Sequence, residues 1–169
     1  MANFYRAIEV DPGFAAAYGM AARAYVLRKG SAWAANRDVE VAEAARLARR
    51  AAELGKDDAV ALGGAGLALS FVVGDHDEGK ALTDRAVTLN PNLAWIWLFS
   101  GWVRVWFGES EAAIDRVSRA LRLNPADPHS YSMYSALGFA HFSAGRYSEA
   151  VCWAEMAARE KPSFLSLHA

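Results

Sequence analysis

The stretch PNLAWIWLFSGWVRVWFGESEAAIDRVSRALRLNP, residues 91–125, decides the fold. It contains two apolar segments with helical spacing, separated by Gly108 and bounded by Pro91 and Pro125. Glycine ends a helix readily because it adopts the left-handed backbone conformation at low cost, and proline stops a helix because it lacks an N–H. The stretch therefore predicts a helical hairpin with a period of 34 residues, the distance between the two prolines.

The same layout recurs along the chain. Turn prolines follow similar segments, such as RAVTLNP ending at Pro91 and RALRLNP ending at Pro125, and they stand at Pro12, Pro91, Pro125 and Pro162. Small residues stand where the two helices of a hairpin are expected to cross, at Gly66, Gly101 and Gly138, and a larger side chain there is expected to push the backbones apart. The glycines expected to end first helices in the left-handed conformation are Gly74, Gly108 and Gly145.

These marks resemble a known repeat. Trp97-x-x-Ser100-Gly101, followed by Gly108, Ala113, Ala120 and Pro125, is similar to the tetratricopeptide repeat (TPR). The resemblance implies an all-α fold, a right-handed α-solenoid of TPR helix-turn-helix hairpins. The sequence of residues 92–128 and 140–164 also looks like the TPR region of rhizobial-type bacterial adenylate and guanylate cyclases and related signalling regulators. No cyclase residue carries over, because the chain holds no catalytic domain.

The repeat spacing divides the chain as a single TPR domain over residues 1–169. We expect a partial repeat at 1–12, repeats at about 13–56, 57–91, 92–125 and 126–162, and the start of a further helix at 163–169. An insertion falls near 30–37, and its Trp33 is expected to fold back onto the helices. The predicted helices are 2–10, then 14–29 with 38–55, 58–73 with 76–89, 93–107 with 110–123, and 127–144 with 147–160.

Composition narrows the choice of partners. The chain is 54% apolar, which predicts a folded domain, and its 18 basic and 19 acidic residues give a net charge of −1. This balance offers no basic surface for nucleic acid or an anionic membrane. The most apolar run, residues 93–107, is too short for a bilayer span and contains Arg104. The single Cys152, expected to be a small buried residue, fits a reducing cytoplasmic location.

The first helix of the best repeat carries an aromatic stripe. Trp95, Phe99, Trp102 and Trp106 are 4, 3 and 4 residues apart and so lie along one side of the helix, while Trp97 falls on the side that faces the hairpin partner. Two interpretations remain open: the rings are core, packed between repeats, or they line a groove that binds a ligand. Arg104 is expected to reach the rim or to pair with an acid such as Asp115.

The TPR resemblance implies that the first helices line a concave groove. The candidate peptide-binding residues are Met20, Arg23, Leu67, Phe71, Trp95, Phe99, Trp102, Trp106 and Phe139. The pattern of Lys and Asn with which chaperone-binding TPR proteins grip a terminal carboxylate is absent from these inward positions. An apolar or helical peptide is therefore a better fit than an acidic tail.

No residue set predicts chemistry. Asp75-His76-Asp77-Glu78 has metal-ligand residue types, but it is also the expected acidic start of a helix. The run Gly63-Gly64-Ala65-Gly66 lacks the Lys-Ser/Thr of a phosphate-binding loop and instead indicates close helix packing. We predict no enzyme activity, no catalytic residues, no metal site and no cofactor.

The two ends of the sequence suggest an excerpt of a longer protein. The chain opens with a second helix and closes with residues 163–169, the start of a first helix, although solenoids normally finish with a polar capping helix. The predicted function is a non-catalytic protein-protein interaction scaffold that binds a protein or peptide partner. The alternative is a self-association module, a homodimer formed through uncapped ends or the aromatic side, which brings attached output domains together.

Overall fold

The computed structural model describes residues 1–33 and 36–162, and within those residues every regular element is a helix. The fold class is all-α, as predicted. Each helix begins and ends within three residues of its predicted bounds. The helices are α1 (Ala2–Val10), α2 (Ala15–Gly30), α3 (Arg37–Leu54), α4 (Ala59–Ala68) with a π-helical turn (Leu69–Val73), α5 (His76–Leu89), α6 (Ala94–Phe107), α7 (Ser110–Leu123), α8 (Ser130–Ser143) and α9 (Tyr147–Glu160). The further helix predicted at 163–169 lies outside the described residues.

Local sequence signals explain where these helices begin and end. The carboxylate of Asp58 accepts hydrogen bonds from the backbone N–H groups of Val60 and Ala61, so it caps the start of α4. Asp75 caps α5 in the same way. The glycines after α6 and after the π-helical turn have φ of +79° and +89°, which confirms their predicted left-handed conformation.

The chain forms two compact units, and the first is Met1–Pro91. Its core consists of alanine and branched side chains and the rings of Tyr18 and Tyr25, contributed by α2, α3, α4 and the π-helical turn, with Leu47 and Leu69 fully buried. α2 and α4 touch through their backbones: a Cβ added at Gly64 would lie 2.5 Å from the carbonyl oxygen of Gly19. The glycine run therefore serves close helix packing, as its sequence context indicated.

α1 is held to the rest of the first unit by a partly buried polar contact as well as by packing. The hydroxyl of Tyr5 lies 2.9 Å from the hydroxyl of Tyr25 and donates a 2.9 Å hydrogen bond to the carboxylate of Glu43. Burial, followed by these two hydrogen bonds, raises the pKa of Tyr5. A hydrogen bond from Arg46 lowers the pKa of Glu43, so the acceptor stays ionised.

The second compact unit begins at Asn92 and contains α6 to α9. α6 and α7 cross at Gly101, where an added Cβ would collide with a methyl group of Val117. α8 and α9 cross at Gly138, but there the nearest atom to an added Cβ is 3.5 Å away, an ordinary contact. The prediction that a glycine is sterically required at each crossing holds for Gly101 and fails for Gly138.

The π-helical turn at the end of α4 was not predicted. Gly74 follows Gly66 by eight positions, whereas Gly108 follows Gly101, and Gly145 follows Gly138, by seven. A π turn accommodates one extra residue inside a helix, so the turn absorbs this difference and keeps both glycines in place. The backbone carbonyl of Phe71, within the turn, accepts a hydrogen bond from the ammonium of Lys29.

Two sequence predictions about single residues are wrong, and a third is partly confirmed. Trp33 does not fold back onto the helices; it is 70% exposed, because the backbone after α2 turns through Ala32 at a positive φ of 55°. Cys152 is exposed, because it lies on the side of α9 turned away from α8. Arg104 is buried and pairs with an acid, one of the two alternatives predicted for it, but the acid is Glu109, at 3.6 Å, and not the example Asp115.

No helix in the described part of the chain combines the length and the apolarity that are needed to cross a bilayer.

Candidate functional site

α6 packs on two sides with different chemistry. On one side the guanidinium of Arg116, in α7, lies 5.2 Å from the ring centre of Trp97, a cation–π contact within the hairpin. Arg104 also points to this side, where it donates a 2.8 Å hydrogen bond to the hydroxyl of Ser100. Trp97 therefore faces the hairpin partner, as predicted, and the other side of α6 is left to meet α8.

Trp102 is the centre of that other side. Its ring stacks on Trp106, one helical turn away, with ring centres 5.6 Å apart, and meets Phe139 of α8 at 5.9 Å. Its indole N–H donates a 3.1 Å hydrogen bond to the hydroxyl of Ser132, also in α8. These contacts fix the orientation of the ring, and all four side chains remain partly exposed.

Trp95 extends the stripe towards the start of α6. It is partly exposed and meets Phe99 edge to face, with ring centres 4.8 Å apart. We call the set Trp95, Trp102, Trp106, Ser132 and Phe139 the aromatic face. Phe99, which the sequence assigned to the groove, is only 4% exposed and supports the face from within the core.

The four candidate residues of the first unit are not brought into such a cluster. Leu67 is 4% exposed and belongs to the core. Phe71 is partly exposed, but the ammonium of Lys29 lies 4.8 Å from its ring centre and covers that side of the ring. Met20 and Arg23 are partly exposed on α2. Leu67, like Phe99 in α6, is therefore too buried to contact a ligand. The candidate residues whose rings cluster all lie in α6 and α8.

The spacing of the helices accounts for this difference between the units. α2 and α4 meet backbone to backbone through Gly19 and Gly64, so large side chains are excluded between them. α6 and α8 meet through the side chains of Trp102, Ser132 and Phe139 instead. The side chains between α6 and α8 remain partly exposed and can contact a ligand. The backbone contact between α2 and α4 leaves no such side chains between them.

Two residues near this surface were missed or undervalued in the sequence. Nothing in the sequence spacing indicates that the hydroxyl of Ser132 accepts a hydrogen bond from the indole of Trp102. Phe142, three residues after Phe139 on α8, is 62% exposed and packs edge to face on Tyr147 at 5.5 Å. The interval of three residues was a signal that Phe142 shares a side with Phe139, although it does not reveal the exposure of the ring.

Ionisable groups lie at the hairpin ends rather than on the aromatic face. Arg146 pairs with Glu111 at 2.5 Å and donates a 3.0 Å hydrogen bond from Nε to the Nδ1 atom of His141. Burial, and then the charge of Arg146, lowers the pKa of His141. These contacts join the turn of one hairpin to the turn of the next, so their role is structural.

The residues Asp75 to Glu78, whose types suggested metal chemistry, form the start of α5. Asp75 caps α5, and the ring of His76 lies 2.9 Å from the hydroxyl of Ser70. Among the residues that the structure describes, no three His, Cys, Asp or Glu side chains come close enough to hold a metal ion.

Comparison with known proteins gives a fold and no closer relationship. No family model matches the chain, and no curated protein matches it by sequence. Among solved structures, TTC0263, a thermophilic TPR protein of Thermus thermophilus, matches with a TM-score of 0.68 and 22% identity over 98% of this chain and 83% of its own. The chain has the TPR fold.

Two further TPR-fold matches have similar scores. YrrB, described as a TPR protein with an unusual peptide-binding site, has a TM-score of 0.64 and 20% identity over 99% of this chain and 79% of its own. MamA has a TM-score of 0.61 and 19% identity over 94% of this chain and 79% of its own. In the TPR fold of this chain, α6 and α8 are the first helices of successive hairpins, so the aromatic face lies on the first-helix side of the repeats.

Proposed function

We propose that the chain is a non-catalytic protein-interaction scaffold that binds an apolar segment of a partner protein on its aromatic face. The observation that carries the proposal is Trp102, a partly exposed ring held between Trp106 and Phe139 with its N–H bonded to Ser132. A ring that is already ordered loses little conformational freedom on binding, and ordered Trp side chains commonly dominate binding energy. The peptide-binding site named for YrrB supports this kind of function for the fold.

The cellular setting is a narrower part of the same proposal. The resemblance of residues 92–128 and 140–164 to the TPR region of bacterial cyclases supports a role in a bacterial signalling protein in the cytoplasm. In that role the scaffold connects a partner to an output domain carried elsewhere in the protein. The near-neutral charge of the chain fits a protein partner better than a nucleic acid or a membrane surface.

The test compares stability with binding. Peptides selected by display against the wild-type chain would be measured against Trp102→Ala and Trp106→Ala by calorimetry, with thermal unfolding in parallel. We expect at least about tenfold weaker binding for Trp102→Ala, since truncating an interface Trp commonly costs about 2 kcal/mol or more. Trp33→Ala is the matched control, because Trp33 is exposed and lies in the first unit. Unchanged binding with a large loss of stability would assign the rings to the core.

A second candidate function is self-association, and one observation favours it. Phe142 and Tyr147 are each 62% exposed and in ring contact, and Val151, one turn after Tyr147 on α9, is 57% exposed. A contiguous apolar patch of this kind is typical of an interaction surface. Sedimentation equilibrium over a range of concentrations should then show dimers that Val151→Glu weakens. Val39→Glu, at a similarly exposed valine in α3, is the control, and a monomer at every concentration rules the candidate out.

A further inference from the structure

The aromatic face is poor in hydrogen-bonding groups. Phe139 has none, and the indole N–H of Trp102 is already bonded to Ser132 at 3.1 Å. The remaining members, Trp95, Trp106 and Ser132, can contribute at most one indole N–H or one hydroxyl each, and the hydroxyl oxygen already accepts from Trp102. None of the five side chains is ionisable, so the face has no charge to attract a charged ligand.

The shortage of hydrogen-bonding groups on the aromatic face favours a helical peptide over an extended one. An extended segment presents one N–H and one C=O per residue that must find partners when the segment leaves water. A buried backbone group without a partner costs about 1–3 kcal/mol. A helix pairs its own backbone groups, so it can place apolar side chains against a surface that has few donors or acceptors.

The spacing of the rings accommodates a helix, as it does alternate side chains of an extended segment about 6.5 Å apart, so the shortage of hydrogen-bonding groups is what favours the helix. Trp102 and Trp106 are four residues apart on α6, about 6 Å along its axis at about 1.5 Å per residue. Apolar side chains at positions i and i+4 of a docked helix lie about the same distance apart. Two such side chains can therefore meet the two indoles together.

We propose that the partner segment is an amphipathic α-helix with an uncharged apolar stripe, docked on Trp102, Trp106 and Phe139. The inference rests on the proposed function, because it names the conformation of the segment that the aromatic face binds. Affinity for the helix depends on buried apolar area and changes little with salt, because the face has no ionisable side chain.

The experiment selects peptides from two display libraries of equal diversity against the full chain. One library is biased to helix, with apolar residues at i and i+4, and the other is proline-rich and extended. We expect binders from the helical library, and we expect their affinity to fall at least about tenfold with Trp102→Ala but not with Trp33→Ala. A change from about 50 to about 500 mM NaCl should alter their affinity less than about threefold.

A point change in the selected peptides tests conformation directly. Proline at a central, non-contacting position should weaken binding at least about tenfold, whereas alanine at the same position should not, because proline breaks a helix. Binders that come from the extended library and depend on Trp102, or that tolerate the proline, would overturn the helical inference and keep the proposed function. If neither library yields a binder that depends on Trp102, the inference and the proposed function both fail.

Discussion

Gly66 and Gly138 occupy the same place in different hairpins, but the space around them differs. A Cβ at Gly66 would lie 2.6 Å from the carbonyl oxygen of Gly79 and 2.8 Å from a methyl carbon of Thr83. Because the first of these is backbone, relief requires α4 and α5 to separate. We expect Gly66→Ala to lower the free energy of unfolding by about 1–3 kcal/mol, the usual cost of overpacking, as measured by urea denaturation.

Gly138→Ala is the matched comparison for that prediction. The nearest atom to an added Cβ there is 3.5 Å away, and alanine is a better helix former than glycine by up to about 1 kcal/mol. The urea midpoint should therefore stay the same or rise. Equal destabilisation by both changes would show that the crossing distances between these helices do not control stability.

Single residues show where sequence reasoning succeeds and where it stops. The left-handed glycines after first helices were predicted, because conformation at such a position depends on the residue itself and its neighbours in sequence. The hydrogen bond between Trp102 and Ser132 was not predicted, because the two residues are 30 positions apart in the sequence and the bond depends on the distance between α6 and α8. The prediction that Cys152 is buried failed for a similar reason, because apolar spacing does not reveal whether another helix covers that side of α9.

Helices as whole elements were the most predictable part of the fold. The last three hairpins combine helical spacing, a glycine break and a proline stop, and agreement among these signals defines the bounds of α5, α7 and α9 to the residue. The π-helical turn in the first helix of the 57–91 repeat was readable in principle from the extra residue between Gly66 and Gly74. The hydrogen bond from Lys29 to the carbonyl of Phe71 in this turn could not be predicted, because Lys29 belongs to a different hairpin.

The π-helical turn yields a prediction about Lys29. Its ammonium donates to the carbonyl of Phe71 and lies over the ring of the same residue, so it stabilises both the backbone and the side chain of the turn. We expect Lys29→Met to lower the free energy of unfolding by about 1–2 kcal/mol through loss of the hydrogen bond and the cation–π contact. Urea denaturation of the variant beside wild type measures this difference.

Lys56→Met is the control for this change, because Lys56 is exposed in the loop before α4. It removes the same charge and adds the same apolar group, so it should change stability by less than about 0.5 kcal/mol. Equal effects of the two changes would mean that net charge, rather than the contact with Phe71, determines the result.

At the scale of the whole molecule, the repeats form two compact units, each with its own buried side chains. Leu47, Leu62 and Leu69 are fully buried in the first unit, and Ile96, Met133 and Leu137 in the second. In repeat proteins, stability is approximately a sum of repeat stabilities and contacts between neighbours, so part of an array can fold if it keeps enough neighbouring hairpins. Residues 92–169 contain the two hairpins α6–α7 and α8–α9 and every member of the aromatic face.

Separated fragments test whether the function follows this division. We expect residues 92–169, expressed alone, to be helical by circular dichroism and to bind the selected apolar peptides within about threefold of the full chain, because Trp102, Ser132 and Phe139 meet within this unit. Residues 1–91 should be helical and should not bind the same peptides, since α2 and α4 meet there through glycine backbone rather than through rings. If fragment 92–169 is folded but does not bind, the ligand also requires residues of the first unit, and the assignment of the docking surface to α6 and α8 alone is wrong.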